Sequence, residues 1–214
     1  EVVVVRPGDA YSQIDANNYV LSPEHGRDGY EALLRDLKST GKWPDRIVHL
    51  WLTTADESFR PGSSFFHRNQ EQGFYSLLFL AQSLASEGNS QPLHISVVTS
   101  GMQQTRDEGL PHPEKATVLG PVGVIPRELP QTTCATIDIA LPARTRFGGK
   151  RRAAALDTLA EQLLCELQQP AANGNVALRG DRRYEKGYTR FNAAKSRVEA
   201  DSKPAIRPHG VYLI

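Results

Sequence analysis

Residues 97–128 read VVTSGMQQTRDEGLPHPEKATVLGPVGVIPRE, and the fold turns on how this stretch is read. Upstream, Leu93–Val98 is an apolar run whose length suits a buried strand. It ends in Thr99-Ser100-Gly101, two hydroxyls and a glycine where the chain would leave a sheet. Downstream, Lys115 precedes Ala116–Glu128, where Pro121 and Pro126 allow only a short or kinked helix. A hydroxyl and a lysine could serve proton transfer to a carbonyl beside a proton donor such as tyrosine. Pro111, one helical turn before the lysine, has no proton to give.

Working outward, apolar strands alternate with helical patterns. Val2–Val5 and Asn18–Leu21 are short strand candidates. Arg27–Thr40 carries Tyr30, Leu33, Leu34 and Leu37 at the spacing of one helical face, and Gly41 is placed to stop it. Ile47–Leu52 (IVHLWL) reads as a strand buried on both faces, and Gly73–Ser86 (GFYSLLFLAQSLAS) as a helix deep against a sheet. Thr133–Ile139 (TCATIDI) is a further strand. Arg152–Gln168 puts Leu156, Leu159, Leu163, Leu164 and Leu167 on one helix face, and Val176–Leu178 and Arg183–Phe191 are short strands. The alternation predicts an α/β fold with a mostly parallel sheet flanked by helices. Residues 1–191 read as one domain, 192–208 as a polar linker with two prolines, and 209–214 as the start of a further strand. A chain that opens on Glu1 and closes on the apolar Val211–Ile214 is expected to be a piece of a longer polypeptide.

The 214 residues carry 39% hydrophobic and 23% charged side chains, the composition of a chain with a packed core. A net charge of +1 lacks the cationic excess that accompanies nucleic-acid capture. No apolar run approaches the ~20 residues that span a bilayer. Cys134 and Cys165 have no CxxC spacing and are expected to be buried, reduced thiols of a cytoplasmic protein.

Most chemical signatures are missing. The first strand runs into RPGDAYSQ, with one glycine and no helix start, so a dinucleotide finds no glycine-rich turn for its pyrophosphate. The GPVG of Gly120–Gly123 lies elsewhere and is interrupted by proline. Of the six histidines (His25, His49, His67, His94, His112 and His209), none has metal-ligand spacing; His49 and His94 sit inside strands as hydrogen-bonded core or edge residues. Thr99-Ser100-Gly101 lacks the upstream glycine of a nucleophile elbow. Tyr75, Tyr184 and Tyr188 lie on other elements, and Asp56-Glu57 reads as a solvated loop. Two basic stretches remain, Arg144, Arg146, Lys150, Arg151 and Arg152 in RTRFGGKRR, and RGDRRYEK from Arg179 to Lys186. Each reads either as solvated surface or as a site for an acidic protein or a phosphate.

Taken together, IVHLWLTT, GFYSLLFLAQSLAS, LHISVVTSGMQ, KATVLGPVGVIPRELP leading to TCATIDI, VALRGDRRYEKGYTRF and RPHGVYLI resemble the structural subdomain of the ketoreductase region in modular type I polyketide synthases. The resemblance covers most of the chain. It implies a truncated, Rossmann-like relative of the short-chain dehydrogenases that lacks catalytic, cofactor-binding and metal-binding residues, with Ser100 and Lys115 in vestigial positions. NADPH and the Ser/Tyr/Lys set would belong to an adjoining catalytic subdomain, whose first strand GVYLI would open. The implied partners are that subdomain, other domains of the same synthase and an acyl carrier protein, with neither nucleic acid nor membrane among them. Three other readings stay open: a divergent NAD(P)-dependent reductase, a pseudo-ketoreductase spacer, and a carrier-protein docking module using Arg144–Arg152.

Overall fold

The computed structural model describes residues 1–54, 64–88, 90–142, 149–190 and 209–211. Its centre is a five-stranded sheet in the order β4 (Arg46–Leu52), β5 (Leu93–Ser100), β6 (Thr132–Ile139), β7 (Gly174–Arg179) and β8 (Arg182–Glu185). The first four strands are parallel, and β8 folds back antiparallel on β7. The expected α/β architecture is therefore present. Every residue of β5 is buried, as its unbroken apolar run demands in a parallel sheet covered on both faces.

Two of the expected strands leave this sheet. β1 (Val4–Pro7) and β3 (Asn18–Leu21) pair in parallel, with β2 (Ser12–Gln13) antiparallel on β3, as a separate three-stranded sheet. Tyr19 and Leu21 of β3 face the larger of two cores, formed with α1 (Asp28–Ser39), β4, α3 (Ser76–Ser86) and α4 (Leu119–Glu128). All four apolar residues predicted for the inner face of α1 are buried. The smaller core lies on the opposite sheet face, where Val98, Ile137, Ile139, Val176 and Leu178 meet Leu159, Leu163 and Leu167 of α5 (Gly149–Leu167).

Five local expectations are corrected. β4 is not buried on both faces: it is an edge strand, and Val48 and Leu50 are 39% and 46% exposed on the side beyond the reach of α5. The helix expected from Gly73 begins eight residues earlier. There, α2 (Phe65–Asn69) is capped by the Ser64 hydroxyl and runs through a π-helical stretch, Gln70–Tyr75, into α3. A side chain at Gly73 would come within 2.9 Å of Leu52 and 3.0 Å of Val118, so only glycine lets that wider turn lie against β4. β8 ends at Glu185, opposite Val176, and residues 186–190 of the expected Arg183–Phe191 strand form no strand, while Phe191 lies outside the described residues. Cys134 is buried but Cys165 is exposed. With Leu159, Leu163 and Leu167 turned to the sheet, a residue two positions past Leu163 points about 160° away from it. Leu164, expected in the apolar face, is lateral and 57% exposed for the same reason. The linker at 192–208 and the closing residues 212–214 lie outside the described residues.

Candidate functional site

The carboxyl ends of β4, β5, β6 and β7 converge on a cleft of about 210 Å³, where ligands of open α/β sheets bind. Thr54 follows β4, Ser100 ends β5, Ile139 to Leu141 leave β6, and Arg179 ends β7. The sequence-predicted pair does meet here. Lys115, on a 3-10 turn over Pro113–Val118, donates from Nζ to the Ser100 hydroxyl at 2.9 Å, the Ser100 carbonyl at 2.9 Å and the Thr54 carbonyl at 3.3 Å. Ser100 donates in turn to the Thr54 carbonyl at 2.8 Å. Lys115 is 0% exposed, and burial pulls its ammonium down to about 8 against the pull of Glu114 and Asp138. The lysine thus ties the end of β4 to the end of β5.

Pro111, four residues before Lys115, lies outside the 3-10 turn and lines the cleft. Gly101, at φ +72, turns the chain out of β5, and a side chain there would fall 2.6 Å from the Pro111 ring. The His112 amide donates to the Gly101 carbonyl at 3.0 Å and fixes this approach. Neither Tyr75, Tyr184 nor Tyr188 lines the cleft. Tyr75 is on the π-helical stretch and 44% exposed, Tyr184 lies on β8 under Arg106, and Tyr188 is 92% exposed.

The sequence reading missed a buried ionic network beside the cleft. Asp138, 0% exposed on β6, accepts from Thr99 Oγ1 at 2.6 Å, the Met102 and Gln103 amides at 2.9 and 3.1 Å, and Arg179 Nη2 at 2.6 Å. All five Arg179 N–H groups are used: the guanidinium also meets both oxygens of Glu108 and the carbonyls of Gln103, Asp138 and Leu178. Burial alone would lower the guanidinium's pKa, but its hydrogen bonds to Asp138 and Glu108 outweigh that and raise it. The signal was present: one aspartate inside the apolar TCATIDI must find donors when buried.

The remaining candidates separate. His49 bonds Ser76 Oγ at 2.8 Å, and burial lowers its imidazole to about 4; His94 bonds Thr133 Oγ1 at 2.8 Å. Both are hydrogen-bonded sheet residues, as expected. Among the described residues no group of histidines, cysteines and acids could hold a metal. Gly120–Gly123 is inside α4, at no strand-to-helix turn. Lys150 and Arg151 are exposed in the first turn of α5, and Arg152 Nε donates to the Pro142 carbonyl at 3.4 Å. Arg144, Arg146, Asp56 and Glu57 lie outside the described residues. Of RGDRRYEK, Arg183 is held by Glu166 and Glu185, while Arg179 belongs to the buried network and not to a solvated hairpin.

Fold and site together define an α/β protein of Rossmann-like build with Ser100 on the cleft wall, Lys115 sealed behind it and no tyrosine among the described residues that line the cleft. Residues 1–146 match the family model described as Beta-ketoacyl synthase-like, N-terminal, and the chain belongs to that family. No curated protein matches it. Among solved structures it is similar to one holding the adenylation, ketoreductase and pseudo Asub parts of a keto acid-selecting NRPS module. The identity is 23% and the TM-score 0.65, over 85% of this chain and 14% of that one. It is also similar to an N-terminal ketoreductase from the macrolactin assembly line, at 16% identity and TM-score 0.59, over 86% of this chain and 34% of that one. These likenesses show the fold, which is the one the sequence motifs led us to expect. The chain spans well under half of either structure. Among the described residues no helix is long and apolar enough to cross a membrane.

Proposed function

We propose that this chain is the scaffold half of a ketoreductase region in a polyketide synthase, without catalysis or cofactor of its own. It packs against an NADPH-dependent catalytic half, which reduces a β-keto thioester carried on an acyl carrier protein, and it works beside the other domains of the same cytoplasmic synthase. The observation that carries the reading is an apolar helix face with no covering element among the described residues. Tyr75 and Val124 are 44% and 48% exposed, and the Phe74 ring lies 3.8 Å from where a side chain at Gly120 would begin. Tyr75 touches both Phe74 and Phe79 edge-on or stacked, so α3 and α4 present one continuous apolar surface. Burying such a face holds a neighbour in place at about 25 cal/mol per Å². A sealed lysine and a cleft lined by Pro111 with no tyrosine among its described residues support the absence of chemistry.

The test is co-expression with the reductase half encoded beside this chain in its parent synthase. Wild-type chain is expected to co-purify with that half and to raise its ketone-reducing activity. Tyr75→Glu with Val124→Glu, both on the surface, should abolish both effects while the chain stays folded. Saturable NADPH binding to the chain alone, read from Trp43 and Trp51 fluorescence, would overturn the proposal. So would a catalytic half that is equally active without it.

A further inference from the structure

The edge of the sheet opposite β4 carries an inference beyond scaffolding. β8 is the last strand, and among the described residues no strand pairs with its outer side. The Lys186 amide donates to the Asn175 carbonyl at 3.0 Å, so the alternation of an antiparallel ladder points the N–H and C=O groups of Arg183 and Glu185 away from β7. An open row of this kind can take a further strand. Side chains along β8 alternate between its faces. Arg183 turns to α5, where Glu166 holds it, and Glu185 shares that face. Arg182, Tyr184 and Lys186 turn to the other, where Arg106 Cζ lies 5.6 Å from the centre of the Tyr184 ring. Arg106 is exposed and has φ +57, a conformation an arginine rarely adopts. Glu108 fixes the turn that holds it, accepting from the Thr105 amide and hydroxyl at 2.7 Å each. The ion pairs described at this end of the sheet are those of Arg179 and Arg183. Among the described residues none involves Arg106, Arg182 or Lys186, so three cations and one aromatic ring share a single face of an open edge.

We infer that β8 takes an extended acidic segment of a partner protein as a sixth strand, with two acids four residues apart and an apolar residue midway. Residues directly across two strands share a face, so the carboxylates stand opposite Arg182 and Lys186 and the apolar side chain opposite Tyr184. From Arg182 to Lys186 is about 14 Å of strand, the repeat of alternate side chains in a second strand and far more than one phosphate spans. A second copy of this chain does not fit. Two β8 strands paired antiparallel about Tyr184 would set Arg182 against Lys186, like charge on like charge. The charge that keeps identical copies off the edge also selects an acidic strand.

The probe is a heptapeptide with blocked ends, Thr-Glu-Thr-Val-Thr-Glu-Thr. Its rearrangement, Thr-Thr-Glu-Glu-Thr-Val-Thr, keeps composition and charge but loses the spacing. The titration uses the whole chain, so that residues 191–208, outside the described residues, are present to compete for the edge. At about 25 mM salt the probe is expected to shift the backbone amides of Arg106 and of Arg182 to Lys186 saturably, with a dissociation constant on the order of millimolar. Salt at about 200 mM should weaken it severalfold. Saturating probe should slow hydrogen exchange at the Arg183 and Glu185 amides, which charge attraction alone would not do. Arg182→Ser with Lys186→Ser should weaken binding at least about tenfold, whereas Lys150→Ser with Arg151→Ser, exposed cations on α5, should leave it unchanged. Dispersed amide spectra would show that each variant is folded. Any of four results would overturn the inference: no saturation up to about 10 mM, equal binding of the rearranged peptide, no added protection at Arg183 and Glu185, or displacement of the probe by an equal concentration of inorganic phosphate. The scaffold reading is untouched by any of these, since its own test depends on α3 and α4.

Discussion

Lys115 is wholly buried and makes all three of its hydrogen bonds to oxygens at the ends of β4 and β5. Its amine ordinarily titrates at 10.5 and here at about 8, so between these values the unfolded chain binds a proton that the folded chain has released. Stability therefore rises as pH climbs from 8 to 10.5, and below 8 the buried charge weighs against folding. Denaturant unfolding of wild type and Lys115→Met across that range should show the wild type gaining on the variant by on the order of 3 kcal/mol. A constant difference would mean the ammonium is not desolvated. The two thiols provide a second residue-scale contrast. Burial pushes the Cys134 thiol up to about 12, whereas Cys165 faces solvent from the outer side of α5. A thiol reagent at pH 8 should label one cysteine in the native protein within minutes and the second only on unfolding. Cys165→Ser should remove the fast phase and change stability by less than about 0.5 kcal/mol. At this scale the order of strand, hydroxyl and lysine was legible, but the fourteen residues between Ser100 and Lys115 did not by themselves dictate that the two would meet. The Cys165 error came from counting leucines on both sides of it without fixing which of them faced the sheet.

Between elements, the network of Arg179, Asp138 and Glu108 joins β6, β7 and the segment that leaves β5. Asp138 and Glu108 lie 41 and 71 residues from Arg179, so no local pattern announces the pairing. Removing the cation leaves Asp138 buried with its charge and three neutral donors. Arg179→Met should therefore cost about 3–5 kcal/mol, more than the loss of an exposed ion pair. The damage should also be local first: the Gln103 carbonyl and Glu108 lose their anchor, so residues 101–112 should become cleavable by a protease at concentrations that leave wild type intact. Pairing Arg179→Met with Asp138→Asn should recover part of the loss. If both variants unfold at the wild-type denaturant midpoint, the network is decorative. Helix α1 shows the opposite case, where a four-residue apolar stripe determined the buried face without any distant partner. The π-helical stretch before α3 was not legible, because a one-residue widening is set by the contact of Gly73 with Leu52 and Val118.

For the whole molecule, alternation of apolar runs with amphipathic ones was enough to predict the layers, since a parallel sheet must be covered on both faces. It could not assign β1 and β3 to a sheet of their own, because an isolated apolar run carries no record of its neighbour. Nor did it show how unevenly the covering falls: among the described residues α1, α3 and α4 crowd one side, and α5 is the helix packed on the other. Among the apolar side chains that face outward in the described residues are those of the α3–α4 surface around Tyr75 and Val124 and of the β4 edge at Val48 and Leu50. They are not equivalent. The helix surface joins aromatic rings to Gly120, where a partner helix can approach closely, while the edge offers two aliphatic side chains on one strand. A chain separated from a partner that normally covers its helix face should therefore associate with itself through that face. Sedimentation velocity at about 10 to 200 μM should show a concentration-dependent dimer in the weak, micromolar range. Tyr75→Glu with Val124→Glu should return the chain to monomer, and Val48→Lys with Leu50→Lys should leave the dimer in place. The reverse pattern would move the interface to the β4 edge, and with it the surface on which the scaffold reading rests.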